Sequence, residues 1–457
     1  MTSIPTKAVY PYTKQWSMSV QRELGQGFVG SLAYVGTKGT HLTAERDLNQ
    51  LQPLDSTLNS FPKGQPLTAD ICQAGATTGT FPVGGTTTGN GSVTSPGIGP
   101  NEPGYINMVV ARAGFPGFVS NGVKLGISAD SSRPYNGFSN ILAVSNVATS
   151  NYNGLQATLS RSKGAFTLGT AYTYSHSLYD ASDRASANFV NSLDLKSNYA
   201  SSDFDERHML SVNYIYRLPL IQLIDHFTRF ENEEEPAPDA NQPDQSEKPA
   251  PDWREGSLVK TLLDHWELSG ITAHMTGTPF SVVNAGSATG IGAADNAGVG
   301  NALGLGSYPD RVGNPRGLKP VVTSSASNIG PLLLNPGAFA APRGLTFGNA
   351  GRNVLNNPAR TNFNMSLLKH FPLAHERNVE FRAEAYNIFN HTQFRIYDPS
   401  HPGNTGNNIV NCYGDVTTGY SAGATTGATN CVEGNSFLHP VDAHDLRILQ
   451  FGLKMAF

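Results

Sequence analysis

The chain closes on the stretch Leu446-Arg-Ile-Leu-Gln-Phe-Gly-Leu-Lys-Met-Ala-Phe457, in which apolar and polar side chains alternate up to the last residue. A β-strand directs successive side chains to opposite faces, so this alternation predicts a strand with one apolar face. Chain termini fray in water, and an apolar face that continues to the terminus therefore indicates a non-aqueous surrounding. The alternative is a buried edge strand of a soluble β-sandwich. The expected apolar, lipid-facing residues are Leu449, Phe451, Leu453, Met455 and Phe457.

The composition favours a membrane barrel over a set of soluble domains. Charged residues make up 14% of the 457 residues, against about 25% in typical soluble proteins. The formal net charge of -4 gives no basic face for a phosphate backbone, which argues against nucleic acid as a partner. The sequence has no run of 18 apolar residues, which excludes a transmembrane helix but not a transmembrane barrel, whose signal per strand is weak.

Two hairpins with short glycine turns support the same architecture. The first joins residues 16–24 to residues 28–36, and the second joins residues 152–161 to residues 166–174. At their other ends these strands continue into long segments rich in Gly, Ser, Thr, Asn and Pro. Tight turns at one end and long loops at the other are typical of an outer-membrane barrel, with its periplasmic and extracellular sides. Counting by the two-residue period predicts about nine strands.

One connection at the tight-turn end is long, spanning residues 220–263. Its middle, residues 231–255, is acidic and proline-rich, a composition typical of segments without fixed structure. We expect a periplasmic insertion that acts as a solvated spacer, and a partner-binding tail is the alternative. The flanks of this insertion have the composition of short amphipathic helices.

The strand expected at residues 379–389 separates its side chains by charge. A charged face suits a water-filled lumen, because opposite charges on neighbouring strands can pair there. Glu380 and Glu384 lie four residues apart along one strand, about 13 Å, which exceeds the carboxylate separation that glycosidases use. We therefore expect ion pairs here and no catalytic pair. The residues predicted to face the lumen are Glu380, Arg382, Glu384 and Tyr386.

The sequence shows no catalytic motif, no metal site and no cofactor site. His375 has a neighbouring carboxylate but lacks the further ligands of a metal centre. Cys412 and Cys431 bracket a Gly/Thr-rich segment, and in an exported protein such a pair predicts a disulfide across one loop, with two free thiols as the alternative. Cys72 is left over. The residues expected to form a loop-anchoring network are Asp203, Asp205, Arg207 and His208.

Several short stretches resemble the C-terminal barrel of TonB-dependent outer-membrane transporters of the Oar-like class, which carries a carboxypeptidase-regulatory-like N-terminal domain. They are Pro11-Tyr-Thr-Lys-Gln-Trp-Ser-Met-Ser-Val-Gln-Arg-Glu-Leu24, Ser150-Asn-Tyr-Asn-Gly-Leu-Gln-Ala157, Asp205-Glu-Arg-His208, Trp266-Glu-Leu-Ser-Gly270 with Gly277-Thr-Pro279, Phe381-Arg-Ala-Glu-Ala-Tyr-Asn-Ile-Phe-Asn390, and the closing strand. The resemblance implies an all-β, antiparallel, 22-stranded transmembrane barrel with an internal plug and long extracellular loops. It also implies that the barrel-assembly machinery recognises the closing strand, where Phe451, Leu453, Met455 and Phe457 match the family pattern.

The sequence departs from that family in three respects, since it has about nine strands, no plug and no TonB-contacting segment. An open sheet exposes unpaired backbone groups to lipid, which costs several kcal/mol per group. The first residues also lack the basic and apolar regions of a secretory signal. We therefore expect residues 1–457 to be a partial receptor barrel from a longer reading frame, and pairing with a second chain is the alternative.

These observations predict a non-enzymatic segment of an outer-membrane receptor or transporter in a Gram-negative-type bacterium. The expected partners are outer-membrane lipid and the barrel-assembly machinery, with the TonB complex only in a full-length parent. The cargo class is a bulky nutrient such as an oligosaccharide, a peptide or a chelated metal. The alternative function is a structural or adhesive surface β-protein without transport activity.

Overall fold

We describe the protein from a computed structural model. The residues described are 2–3, 9–50, 78–79, 87–88, 92–93, 119–120, 123–124, 134–135, 138, 141–180, 191–223, 261–284, 308–311, 313–316, 331–340, 347–372, 377–398, 407–410 and 437–456.

Nine long strands form one antiparallel sheet in which the order across the sheet follows the order along the chain. The alternating sequence patterns explain these strands, because each pattern provides two distinct faces. The strands are β1 (Tyr12–Gly25), β2 (Phe28–Asp47), β3 (Leu142–Lys163), β4 (Phe166–Tyr179), β5 (His208–Leu218), β6 (Trp266–Met275), β7 (Arg360–Pro372), β8 (Asn378–Tyr386) and β9 (Ile448–Ala456). The predicted count of about nine strands is confirmed.

The sheet is open within the described part of the chain. β1 pairs with β2 on one side only, and β9 pairs with β8 on one side only. Neighbouring strands alternate in direction, so β1 and β9, the first and ninth, run parallel to each other. The sheet therefore presents two free edges, both with unpaired backbone groups.

The tight turns and the long loops lie at opposite ends of the sheet. Gly25, Gln26 and Gly27 all have positive φ values, of 87°, 52° and 80°, and make the β1–β2 turn, a conformation that glycine adopts at little steric cost. Gly164, with φ of 72°, occupies the β3–β4 turn. The predicted asymmetry between the two ends is confirmed.

The β2–β3 pair extends past its neighbours at the long-loop end. Its register shifts between Gly39 and Thr43, next to His41, whose φ is +57°. Bulges of this kind bend a strand and are frequent at barrel rims. Beyond the shift, Ala44 and Ala148 are buried together, so this part of the hairpin packs against other protein.

The hydrophobic core lies outside the sheet, among the long loops. We call this folded region the cap, and it comprises the described residues 276–284, 308–311, 313–316, 331–340, 347–359, 387–398, 407–410 and 437–447. Its largest fully buried apolar side chains are Phe280, Leu332, Phe339, Leu355, Ile396 and Phe437. The sequence predicted long Gly/Ser/Asn/Pro loops here, and the structure shows that they carry a common core.

Short pairings organise the cap and the loops beside it. In the cap, Pro279–Phe280 pairs with Leu355–Asn356, Val283–Asn284 with Ile409–Val410, Asp310–Arg311 with Phe339–Ala340, and Phe394–Arg395 with Asp442–Ala443. Other two-residue strands are Thr2–Ser3, Thr78–Gly79, Thr87–Thr88, Ser92–Val93, Val119–Ser120, Val123–Lys124 and Ala200–Ser201. The 3-10 helices are Leu195–Asn198 and Pro336–Ala338.

Helix is scarce in the described residues. Residues 220–223 and 261–263, at the two ends of the predicted insertion, are helical, and its acidic middle lies outside the described residues. In the described part of the chain, no helix has both the length and the apolar character needed to cross a membrane.

Candidate functional site

The strand registers gather apolar side chains on one face of the sheet, which we call the apolar face. Register partners on neighbouring strands form rows across the sheet. All side chains of one row lie on the same face, because paired residues point to the same side of the sheet. One such row is Phe28, Arg161, Leu168, Tyr214, Gly270, Met365, Ala385 and Leu449. On β9 the face is fully open, since the Phe451 and Leu453 side chains are 70% and 69% exposed.

The opposite side of the sheet, which we call the polar face, carries mainly hydroxyl, amide and charged side chains. It includes the predicted lumen residues of β8, which alternate with Phe381, Ala383 and Ala385 on the apolar face. Among the described residues, no apolar core packs on either face over the middle of the sheet. One polar row is Ser162, Thr167, Ile215, Ser269, Ser366, Glu384 and Gln450.

Aromatic side chains border the apolar face at both ends. At the tight-turn end, the Arg161 guanidinium lies 5.4 Å from the Phe28 ring centroid and 5.7 Å from that of Phe166. Near the long-loop end, the face carries aromatic side chains from several strands. These are Trp16, Tyr34, Tyr172, Tyr174 and Phe363.

Lys369, on the apolar face of β7, has a hydrogen-bond partner for its ammonium group at the tight-turn end. Lys369 is 1% exposed, and its ammonium group donates to the backbone carbonyl of Asp264. The ammonium also lies 5.5 Å from the Trp266 ring and 5.1 Å from the Phe371 ring. Long cationic side chains keep the charged head group in polar contact in this way while their stems pack against apolar atoms.

Charges on the polar face are arranged in complementary pairs. Glu380 bonds to Arg382 and lies 3.6 Å from a ring nitrogen of His370. On β9, Lys454 is the register partner of Glu380. Between β5 and β6, Arg217 approaches Glu267 at 4.0 Å. The four predicted lumen residues thus share one face with these pairs, and their contact with a water-filled lumen stays a prediction.

Two clefts lie along the polar face. The upper cleft, at the long-loop end, has a volume of about 400 Å³ and is bordered by the cap. The lower cleft, of about 340 Å³, lies over the middle of strands β5 to β8. Asn364 and Tyr386 line both, so the two clefts form one track from the cap towards the middle of the sheet.

The upper cleft is rich in amide side chains whose orientation is fixed by the backbone. The Asn364 side-chain oxygen accepts from the Asn387 N–H at 3.0 Å, and that of Gln393 accepts from the Thr361 N–H at 2.5 Å. Among the described residues no acceptor is bonded to either amide NH₂ group. Asn362 also lines the cleft, and its Oδ1 is buried without a described partner.

The charges of the upper cleft are largely neutralised. Arg360 donates to Glu206 at 3.3 Å. Burial lowers the pKa of His444, and the nearby Arg395 and Arg360 guanidinium groups lower it further. Asp445 adds one carboxylate to the lining. The cleft therefore offers neutral donors and acceptors with a weakly negative balance at neutral pH.

A buried aspartate anchors the loop that enters β5. Asp205 accepts from Arg207 Nε at 2.8 Å and from the Ser177 N–H at 2.8 Å, and lies 2.9 Å from His176 Nδ1. His208 instead meets the Tyr172 hydroxyl at 2.8 Å. The predicted anchoring is confirmed for Asp205 and Arg207, whereas His208 bonds to Tyr172 and Asp203 to Asn353 of the cap.

Arg395 joins two segments of the cap, of which the second leads into β9. Arg395 donates Nε and Nη2 to the two carboxylate oxygens of Asp442 at 2.7 and 2.6 Å, and Nη1 lies 2.7 Å from Asp398. The hydrogen bond to Asp442 raises the pKa of the Arg395 guanidinium. Elsewhere in the cap, burial raises the pKa of Tyr308 to about 12, so its hydroxyl stays protonated.

Several predicted residues lie outside the described residues. These are Cys72, Cys412, Cys431, His375 and Phe457. The proposed disulfide and the terminal aromatic of the assembly signal therefore stay predictions. In the described part of the chain, no group of three or more His, Cys, Asp or Glu side chains could hold a metal ion.

Two functional features were not predicted from the sequence. The first is Arg352 with its neighbour Asn353, which joins the cap to the loop between β4 and β5. The second is the amide cluster of the upper cleft, whose members come from β7 and from the segments flanking β8 and β9. The only available signal was a concentration of Asn, Gly and Arg at residues 348–364, which indicates turns but no partner.

The fold and its two faces define an outer-membrane β-barrel wall. The family described as "Outer membrane beta barrel domain" matches residues 1–228 and 250–430, and the chain belongs to this family. Its location is accordingly the outer membrane. The chain is also similar to the outer membrane transporter YddB from Escherichia coli, with a TM-score of 0.32, 8% identity, and coverage of 84% of this chain and 29% of that chain. No curated protein matches this chain.

Proposed function

We propose that this chain forms part of the wall of a TonB-dependent transporter of the Oar-like class, without enzymatic activity, that imports a bulky nutrient across the outer membrane. The observation that carries the proposal is the continuous track of two clefts on the polar face, opening beneath a folded cap, while the reverse face is apolar across the sheet. A wall with lipid on one side and a polar route on the other is what a transporter barrel requires.

The lengths of the strands support a membrane-spanning role. A tilted strand needs about 9–11 residues to cross the hydrocarbon layer. β6, β8 and β9 have 10, 9 and 9 residues. The extra length of β2 and β3 extends on the cap side, where it packs against loops. We propose that the cap is extracellular and that the tight turns, together with the insertion at 220–263, are periplasmic.

The two free edges require further strands. A closed barrel built only from antiparallel neighbours has an even number of strands. Because β1 and β9 run parallel, they cannot pair with each other in that arrangement, and an odd number of additional strands is needed to join them. We propose that these strands come from the longer polypeptide or from a second chain, and that energised opening depends on a plug inside the completed lumen.

The same proposal gives roles to the remaining sequence features. The apolar face of β9 contacts lipid, and the alternation up to Phe457 is recognised by the barrel-assembly machinery. Glu380, Arg382, Glu384 and Tyr386 line the lumen. TonB contacts only the full-length parent.

An uptake experiment tests the proposal. Cells that express the full reading frame containing residues 1–457 are given labelled oligosaccharides, peptides or ferric chelates, with and without functional TonB. We expect uptake of one class to fall at least tenfold when TonB is inactivated. Uptake that does not depend on TonB would contradict TonB coupling, and loss of surface adhesion without any uptake defect would favour the structural or adhesive alternative.

A further inference from the structure

We propose that the upper cleft is a binding subsite for a neutral, hydroxyl-rich ligand, a free oligosaccharide, and that Tyr386 provides its stacking surface. This inference rests on the proposed function and specifies its cargo. It follows from the hydrogen-bonding groups of the cleft, their fixed orientation, and the charge balance.

The amide groups of the cleft are preorganised as donors. The oxygen atoms of Asn364 and Gln393 are held by backbone N–H groups at 3.0 and 2.5 Å. The oxygen and the NH₂ group are the two branches of the planar amide, so each NH₂ group points away from the N–H that holds its oxygen, and no described residue accepts from it. A ligand oxygen can accept these bonds without displacing a protein contact, which lowers the cost of ordering the site on binding.

The cleft also supplies an acceptor that lacks a donor. Oδ1 of Asn362 is buried without a partner among the described residues. Leaving a buried acceptor unpaired is unfavourable, so a ligand donor that reaches it after a small rotation of the amide gains a bond and breaks none. Donors and an acceptor within one cleft match the hydroxyl group, which both donates and accepts.

The charge balance selects against the other cargo classes. Arg360 is paired with Glu206 at 3.3 Å, so its charge is already compensated. Asp445 adds a negative charge to the lining. An anionic ferric chelate would bring like charge next to Asp445 without meeting an uncompensated cation among the described lining residues. A neutral saccharide meets no such penalty.

The position of Tyr386 extends the site along the transport route. Its side chain is 41% exposed and lines both clefts. The faces of sugar rings carry C–H groups that pack on aromatic rings, so Tyr386 can hold a ring at the junction of the two clefts. The cleft volume of about 400 Å³ lies within the range of small-ligand sites, about 300–1,000 Å³, and leaves further sugar units to extend towards the lower cleft.

Equilibrium binding to outer membranes tests this inference directly. Membranes from cells expressing the full-length protein, and matched membranes without it, are titrated with end-labelled maltotetraose, cellotetraose, xylotetraose and chitotetraose. Ferric citrate and the deacylated sugar part of lipopolysaccharide serve as the anionic and membrane-derived probes. We expect saturable binding of at least one neutral tetrasaccharide and no binding of ferric citrate at the same site.

The variants locate the binding to the upper cleft. Asn362→Leu and Tyr386→Ala should each weaken binding roughly tenfold, which corresponds to about 1.4 kcal/mol, whereas Tyr386→Phe keeps the ring and should retain binding. Gln156→Leu makes the same amide-to-leucine change on the polar face of β3, outside both clefts, and should stay within about twofold of wild type. Tyr386 is exposed, so its variants keep the test informative if Asn362→Leu fails to assemble.

Three outcomes would overturn the inference: no neutral tetrasaccharide binds, only ferric citrate or the lipopolysaccharide sugar binds, or Asn362→Leu and Gln156→Leu weaken binding equally. Because the readout is binding and not TonB-dependent uptake, these outcomes leave the transport proposal to its own test. Conversely, loss of TonB dependence with intact saccharide binding would refute the transport proposal alone.

Discussion

The guanidinium of Arg352 lies 4.5 Å from the centroid of the Tyr179 ring. The same group donates to the carbonyl oxygens of Tyr179 at 3.3 Å and Asp180 at 2.7 Å. Next to it, the Asn353 amide donates to the Asp203 carboxylate at 2.7 Å. The cap is thereby attached to the end of β4 and to the loop that follows, so two long loops form one unit above the sheet.

Replacing Arg352 by lysine should release this loop from the cap. A lysine keeps the charge but not the planar, multidentate donor geometry that reaches several oxygens at once. The Arg352 side chain is 11% exposed, and loss of its bonds leaves buried carbonyl groups unpaired, at a cost of about 2–4 kcal/mol. Trypsin treatment of intact cells should cut the variant at least tenfold faster within residues 180–207. The control is Arg377→Gln, at an exposed position just before β8 at the tight-turn end. Equal cleavage of both variants would contradict the role of Arg352.

Gly348 allows two cap segments to approach closely. A Cβ at this position would lie 2.1 Å from the Tyr308 carbonyl oxygen and 2.3 Å from that of Pro309. Gly348→Ala should therefore destabilise the cap by about 1–3 kcal/mol. Hydrogen exchange measures this, because the Ala350 N–H donates to the Pro309 carbonyl at 3.0 Å and should lose protection. At Gly313 the nearest atom to an added Cβ is 3.4 Å away, so Gly313→Ala should leave protection unchanged.

Asp205 should be needed for the loop before β5 to hold its position. Its side chain is 2% exposed and bonds to Arg207 and the Ser177 backbone. Asp205→Ala leaves both donors without their acceptor, at a cost of about 2–4 kcal/mol. The exposed Asp194 side chain accepts only the Lys196 N–H in a 3-10 turn, and Asp194→Ala should cost about 1 kcal/mol or less. Urea unfolding of the assembled protein compares the two variants. Equal unfolding midpoints would contradict the anchoring role of Asp205.

The two faces of β5 should respond differently to a positive charge. Val212 lies on the apolar face in the middle of the strand, and Ser211 lies on the polar face. An arginine facing lipid near the bilayer midplane costs about 2–4 kcal/mol, whereas one facing water is tolerated. Val212→Arg should strongly lower the amount of assembled protein in outer-membrane fractions, and Ser211→Arg should not. A stronger loss of assembled protein in Ser211→Arg than in Val212→Arg would mean that the two faces are assigned wrongly.

The sheet could be predicted from the sequence because its signal is local. Alternation such as Val379 to Tyr386, with tight glycine turns, determines strands, faces and the approximate strand count without knowledge of partners. The register then follows from keeping each apolar set on one side. The protrusion of β2 and β3 lies beyond the predicted hairpin residues 28–36 and 152–161, because its pairing depends on contacts with distant loops.

The cap and the upper cleft could not be predicted in this way. Phe280, Leu355 and Phe437 belong to one core, yet they are separated by long polar stretches and follow neither a two-residue nor a 3.6-residue period. Asn364 and Gln393 become fixed donors only because backbone N–H groups of other segments bind their oxygen atoms. Interactions over such sequence separations leave no local pattern.

If one face of this sheet contacts lipid and the other contacts water, cysteines on the two faces of β9 should differ in their accessibility to water. Cys72, Cys412 and Cys431 are first replaced by serine, and single cysteines are then placed at Gln450, Phe451, Leu453 and Lys454 in the full-length protein in outer membranes. A water-soluble thiol reagent should label positions 450 and 454, and a lipid-soluble reagent should label positions 451 and 453. Equal labelling of all four positions from water would contradict this assignment of the two faces.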